Sequence, residues 1–440
     1  MNLSVTPSPA VKKHAAKTIF RVTSGNFLEM YDFMVFGYYA TAIAKTFFPG
    51  SDPYSSLMLT LMTFGAGFLM RPLGAIILGA YIDHHGRRKG LLLTLILMAM
   101  GTLTIALTPG YQTLGAAAPL IILAGRLLQG FSAGVELGGV SVYLSEIAPP
   151  GRKGFYVSWQ SASQQLSVIF AALLGLMLNQ WLDKGQVTDW GWRIPFVVGC
   201  LIVPFLFYIR RMLEETESFK QRKHRPGMID IMRSVASNWA LVVAGMLMVV
   251  TTTVMFYMIT AFTPTFGKTA LMMTDPQSFV VTLLIGISNL FWLPVMGTVS
   301  DRVGRRPLLI IFTLLTMLTA WPVLKWMVAA PSFSHLLTAE LWLSFLYASY
   351  NGSMVVYLAE VMPAEVRAAG FSLAYSLATA LFGGFTPAVS SYLIHISGDK
   401  SMPGAWLTFA GCCGLAGTLC IGYLLRRYQQ KKNTGVLRHL

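Results

Sequence analysis

Long apolar blocks separated by short polar punctuation recur from one end of this sequence to the other. They occupy positions 22–46, 57–82, 90–108, 117–145, 155–179, 193–210, 238–265, 278–300, 307–328, 337–360, 370–395 and 404–425. Each holds about 18–25 predominantly apolar positions, the length a helix needs to cross a hydrocarbon core at about 1.5 Å per residue. Numbered span 1 to span 12 in chain order, they predict an all-α integral membrane protein of twelve transmembrane helices, six on either side of a polar segment at 211–237. That segment carries Glu214, Glu215 and Glu217, then Lys220, Arg222, Lys223 and Arg225. Mixed charge of this kind reads as a linker with some helix. The expected organisation is a six-helix half at 1–210, the linker at 211–237, and a six-helix half with a tail at 238–440. No cleavable leader is expected, because the first apolar run is too long for a signal-peptide core.

The two halves repeat. The loop after span 2 reads Gly79-Ala80-Tyr81-Ile82-Asp83-His84-His85-Gly86-Arg87-Arg88, and the loop after span 8 reads Gly297-Thr298-Val299-Ser300-Asp301-Arg302-Val303-Gly304-Arg305-Arg306. Both fit G-x-x-x-D-x-x-G-R-R. Span 4 ends Leu144-Ser145-Glu146-Ile147-Ala148-Pro149, and span 10 ends Leu358-Ala359-Glu360-Val361-Met362-Pro363. Two motifs recurring at nearly one offset imply homologous halves. Parallel repeats of this kind build transporters around a central cavity, with the substrate near mid-membrane and the halves rocking about it.

Composition sharpens this reading. Of 440 residues, 55% are hydrophobic and only 12% charged, against about 25% charged in an average soluble domain. The net charge of +15 could suggest nucleic acid, but the positions of the charges decide otherwise. Lys12, Lys13, Lys17 and Arg21, then Arg87, Arg88 and Lys89, Arg152 and Lys153, the linker, Arg302, Arg305 and Arg306, Arg367 and the tail all fall on the side of the termini. The opposite loops hold only Lys45, Lys184, Arg193, Lys268, Lys325 and Lys400. That bias places both termini in the cytoplasm and makes the basicity a topology signal. Cys200, Cys412, Cys413 and Cys420 lie in apolar runs and read as reduced packing residues. The sequence shows no phosphate-binding loop, no nucleophile elbow at a strand-to-helix turn and no H-E-x-x-H. Neither an enzyme, a metal site nor a cofactor is expected.

Charged residues inside the spans are the candidate chemistry. Glu29 and Asp32 lie one turn apart on span 1, where an ionised side chain at mid-helix costs about 2.5–3.5 kcal/mol on insertion scales. Either could carry a proton, or one could simply pair a cation to hold the helices. Arg126, with Gln129 one turn on, offers the planar fork that suits a carboxylate. It could anchor an anionic substrate or serve as counter-ion to Glu29, Asp32 or Glu136. Glu136 is a further acid, a second proton site or an interhelical tie. Gly130, Gly134 and Gly138 make a stripe for close packing. Gln160, Ser163, Gln164 and Ser167 share a face of span 5, and Tyr347, Tyr350, Asn351 and Met354 a face of span 10; such stripes line a cavity or bond neighbouring helices. Thr253, Tyr257, Thr260 and Asn289 are weaker candidates. Asp83, Arg87, Asp301 and Arg305, with Glu146 and Glu360, read as a charge network closing the cytoplasmic face.

The paired loops resemble the signature of the major facilitator superfamily. Gly25-Asn26-Phe27-Leu28-Glu29-Met30-Tyr31-Asp32-Phe33, Arg71-Pro72-Leu73-Gly74 and Trp190-Gly191-Trp192-Arg193-Ile194-Pro195-Phe196 resemble its metabolite:proton symporter branch. Gly125–Glu136, Ser158–Gln165 and Tyr350-Asn351-Gly352 are similar to bacterial citrate–proton and tricarballylate–proton symporters. One departure is His84, where arginine or lysine is usual. The resemblance implies a bacterial inner-membrane protein, acting as a monomer in the lipid bilayer, that takes up a tricarboxylate, citrate foremost, with protons. Tricarballylate, another carboxylate, a zwitterion, or a role as a membrane sensor are the alternatives. For that function the candidate substrate contacts are Asn26, Arg126, Gln129, Gln160, Gln164, Tyr350 and Asn351, and the candidate proton-coupling acids are Glu29, Asp32 and Glu136.

Overall fold

The computed structural model describes residues 9–212, 227–363 and 367–433; within these, the side chains at 9–15, 80, 82–84, 87, 228, 231 and 431–433 are outside the description. Span 1 is Pro9–Tyr38 continued by Ala40–Phe47, and span 2 is Pro53–Phe68 with Arg71–His85. Span 3 is Arg87–Leu107, span 4 Ala117–Ala133 with Glu136–Ile147, span 5 Lys153–Trp181 and span 6 Arg193–Arg211. A short helix, Met228–Ser237, leads into span 7, Trp239–Ile259 with Thr263–Thr269. Span 8 is Asp275–Val303, span 9 Arg305–Ala329, span 10 Phe333–Val361, span 11 Arg367–Ala378 with Thr386–Ser397, and span 12 Pro403–Asn433. Leucines and aromatics such as Leu201, Phe205, Phe291, Leu318 and Tyr423 stand exposed on the outside, where lipid rather than water is the matching solvent.

Ten helices among the described residues are long and apolar enough to cross a membrane. Spans 1 and 10, of 30 and 29 residues, fall short of that apolarity. Their polar side chains explain it: Asn26, Glu29 and Asp32 on the first, and Glu340, Ser344, Ser349, Asn351 and Ser353 on the second, are all buried. A helix can carry such residues across a bilayer only where protein surrounds them.

The repeated loop has one backbone shape in both halves. Gly86 has φ 97 and ψ 155, and Gly304 has φ 99 and ψ 157. That region is open to glycine alone, which accounts for the second glycine of the motif. Spans 2 and 4 touch backbone to backbone, since a Cβ on Gly130 would lie 1.7 Å from Gly67 O and one on Gly134 2.2 Å from Arg71 O. Gly138 abuts Ser372 of span 11 across the halves.

Span 5 against span 8 is the main contact between halves, and mid-span it is hydrogen-bonded. Asn289 donates to Gln165 Oε1 at 3.1 Å, and Asn351 of span 10 donates to Ser161 Oγ at 2.7 Å. The halves also meet at both ends. At the face where span 6 runs into the linker, Asp301 accepts the Gly154 and Phe155 amides at 2.8 and 3.1 Å. At the far face, Thr265 donates to Gly37 O and Lys268 to Thr41 Oγ1, each at 3.3 Å. Tyr54 stacks on His395 there at 3.7 Å. The halves are therefore in contact at both faces.

Candidate functional site

Arg126 is fully buried in span 4, inside a box of four rings. Its Cζ lies 4.9 Å from the centres of Phe33 and Phe36, 5.0 Å from Phe64 and 5.5 Å from Phe68. Ring faces hold a guanidinium electrostatically without using its hydrogens. Two of those hydrogens go to Phe64 O and Gln129 Oε1, both at 2.8 Å. Gln129 passes the chain on, donating to Thr102 Oγ1 at 3.1 Å, and the Thr102 hydroxyl donates to Asp32 Oδ2. Arg126, Gln129, Thr102 and Asp32 thus form a relay in which each member donates to the next. Thr102 has one hydroxyl hydrogen and a second acceptor within reach, Met98 O at 3.0 Å. The relay can therefore switch without breaking the helix.

The structure separates the two carboxylates of span 1. Glu29 meets Arg71 of span 2 at 3.0 Å, with both side chains buried. Asp32 addresses spans 3 and 6, where a Cβ on Gly199 would lie 3.0 Å from Oδ1. Arg126 is the direct counter-ion of neither. Glu136, at the start of the second segment of span 4, pairs with Arg210 of span 6, which also donates to Leu91 O at 2.7 Å and Thr94 Oγ1 at 3.2 Å. A buried pair bonded in this way ties spans 3, 4 and 6 together. A cavity of about 10 Å3, lined by Gly25, Glu29, Thr94, Ser132, Glu136 and Arg210, runs between the two ion pairs. It is on the order of the space one water needs.

Several of the candidate residues carry unpartnered polar atoms. Among the described residues, both amide atoms of Asn26, Nε2 of Gln160 and of Gln164, Nε of Arg71 and of Arg126, and Oδ1 of Asp32 are buried with no hydrogen-bond partner. Native proteins leave few such groups, and each asks for an explanation. Donors predominate among these, so the group they suit is rich in acceptors.

The second-half candidates are placed differently. Asn351 accepts from Thr252 at 3.2 Å as well as bridging to Ser161. Tyr350 points into its own half, donating to Met248 O at 2.8 Å. Tyr257 stands against Phe68 and Phe64, at 5.2 and 6.1 Å, and so closes the arginine box from span 7. At the linker face, Arg305 pairs with Asp301 at 2.7 Å and Glu360 at 3.2 Å. Since Asp301 also caps the first turn of span 5, the cluster ties the halves through a helix N-terminus. Glu146 lies exposed at the end of span 4. The side chains of Asp83 and Arg87 fall outside the described residues.

Sequence reasoning gave no role to Arg71, Arg210, Thr102 or Glu340. Arg71 and Arg210 were legible as cations at or inside apolar runs. Thr102 carried no signal. One letter pattern misleads: Gly130-Phe131-Ser132-Ala133-Gly134 spells a hydrolase elbow, yet Ser132 lies on span 4 and donates to Gln129 O at 2.8 Å, with no strand-to-helix turn to expose it.

The model of the family "Sugar (and other) transporter" matches residues 17–227, and that of the "Major Facilitator Superfamily" matches 277–439. The chain is 59% identical over 409 residues to a citrate-proton symporter of Salmonella typhi, covering 93% of this chain and 94% of that protein. It is 60% identical over 409 residues to a citrate-proton symporter of Klebsiella pneumoniae, covering 93% and 91%. The fold is similar to the crystal structure of a D-xylose-proton symporter, with TM-score 0.74, 18% identity, and coverage of 92% and 96%. At that identity the likeness concerns the fold alone.

Proposed function

This chain belongs to the major facilitator superfamily, and we propose that it carries citrate into the cell together with protons. The observation that carries the reading is the surplus of buried, unpartnered donors among the candidate residues, together with a relay that ends on an acid. A tricarboxylate supplies the acceptors those donors lack, and two relatives matched over more than nine-tenths of their length, both about 60% identical, bear the name of citrate symporters. Arg126, Gln129, Asn26, Gln160 and Gln164 are the substrate contacts in this reading, with Asn351 meeting them from the second half. Of the two acids on span 1, Asp32 carries the proton. Glu29 already has its charge answered by Arg71, whereas Asp32 has only a hydroxyl.

Coupling follows from the relay. A citrate carboxylate at Arg126 competes with Gln129 for the guanidinium hydrogens. Released from Arg126, Gln129 turns and withdraws its support from Thr102, and ionised Asp32 loses its donor. Citrate and a proton then favour each other's binding, as symport requires. Rocking of the halves breaks the Asp301–Arg305–Glu360 cluster at the linker face and opens the site there. The positive residues on that side support a cytoplasmic location for it and for both termini, in a bacterial inner membrane. In this reading the 211–237 segment joins the two halves along the chain, and a single chain suffices for the cycle.

Uptake of labelled citrate into proteoliposomes, with and without an inward proton gradient, tests the reading. Accumulation is expected only with the gradient, and gradient-independent uptake would overturn symport. Competition by unlabelled tricarballylate ranks the two tricarboxylates.

A further inference from the structure

The offset that carries Glu146 onto Glu360 also carries Arg126 onto Glu340. The second half thus places an acid where the first half places its arginine. Glu340 is buried, 2% exposed, and both its oxygens lie within reach of the Thr263 hydroxyl, at 2.8 and 3.0 Å. Among the described residues no cation pairs with it. The charged groups on the elements packed around it are engaged elsewhere. Lys268 pairs with Asp275 at 3.7 Å, Lys325 sits over the Trp321 ring at 4.8 Å, and His335 is bonded to Ala330 O. From spans 5 and 8 the neighbouring polar groups are neutral, with Gln165 bonded to Asn289 and Asn289 to Ser344. An intramembrane carboxylate without a cation is stable only when it carries a proton or when water reaches it.

Its one partner among the described residues, Thr263, sits on a joint. Span 7 breaks between Ile259 and Thr263, and Thr263 begins the short outer segment Thr263–Thr269. That segment holds the far face shut, through Thr265 on Gly37 O and Lys268 on Thr41. Thr263 has one hydroxyl hydrogen and competing acceptors, Glu340, Ile259 O at 2.8 Å and, more distantly, Met258 O at 3.4 Å. With Glu340 ionised, the hydroxyl donates to it. With Glu340 protonated, the acid can donate to Thr263, whose hydrogen turns to Ile259 O. Both protonation states are therefore accommodated at the joint.

We propose that Glu340 is a second proton-binding site, one that gates the far face. It takes a proton from water on that side as the outer segment of span 7 docks on span 1, and returns the proton to that side when the segment lifts. Acid then favours closure of the far face. This goes beyond the citrate reading and does not rest on it, because the gate responds to protons without citrate.

The test uses the full chain in nanodiscs without citrate. Ser278, buried under the outer segment with its hydroxyl unpartnered, is replaced in Ser278→Cys and labelled with a maleimide. Rates are normalised to Ser51→Cys in an exposed loop and corrected for the native cysteines. Labelling is expected to be several-fold faster at alkaline than at acid pH. Adding Glu340→Gln, a neutral acid mimic of the same shape, should hold labelling slow at every pH, and Glu340→Asp should restore the pH step. If the Gln variant keeps the pH step of its parent, Glu340 is no gate proton site and the proposal fails. A helical circular dichroism spectrum and a monodisperse elution profile of the Gln variant, matching those of its parent, show that it has folded.

Discussion

The two halves share a fold and differ sharply in charge. Buried inside the first are Glu29, Asp32, Arg71, Arg126, Glu136 and Arg210, and inside the second, among the described residues, only Glu340. The second half stabilises its polar interior with neutral contacts instead: Thr252 on Asn351, Ser344 on Asn289, Tyr350 on Met248 O. The buried charges are thus concentrated in one half. The other supplies hydroxyls and amides that can slide between partners at little cost, as a moving wall requires.

The largest effect should come from breaking a charge pair in the first half. Arg71→Ala leaves Glu29 buried without its cation, a loss of about 3–5 kcal/mol. A steep fall in thermal stability is expected, with recovery in the Glu29→Gln, Arg71→Ala double variant. If the double variant were no more stable than the single one, the pairing account would be wrong. Next comes Arg126→Lys, which keeps the charge and loses the fork. Citrate affinity should fall by about 1.5–3 kcal/mol, the range for a hydrogen bond to a charged group, as read by isothermal titration. Full affinity in this variant would remove Arg126 as the anchor. The smallest effect belongs to the second half. Asn351→Ala removes a neutral tie to Ser161 and should cost about 1 kcal/mol of stability, while leaving the proton dependence of uptake intact. A changed proton dependence would erase the division of labour between the halves.

Much of the fold was legible in the sequence, because bilayer thickness and repetition both leave marks along the chain. The apolar blocks located the helices, and G-x-x-x-D-x-x-G-R-R located two turns that share one backbone shape. Spans 1 and 10 are the informative exceptions, since their polar faces lower the apolarity that marks a span. The site was legible as a set of residues and opaque as a set of partners. Glu29 and Asp32 share a helix face by spacing, which suggests a common opponent. Tertiary packing gives each its own, Arg71 on span 2 and Thr102 on span 3. Helical periodicity says which way a side chain leaves its helix, and nothing about which helix it meets. Glu340 was within reach of sequence reasoning, since the repeat offset aligns it with Arg126.

In the proposed coupling, citrate at Arg126 and a proton at Asp32 are linked through Gln129 and Thr102. Calorimetric titration of citrate into the purified protein, in buffers of different ionisation enthalpy, counts the protons taken up on binding. The account predicts uptake of a proton by the unaltered chain, and binding without that proton in both Asp32→Asn and Thr102→Val. Undiminished proton uptake in Asp32→Asn would contradict it.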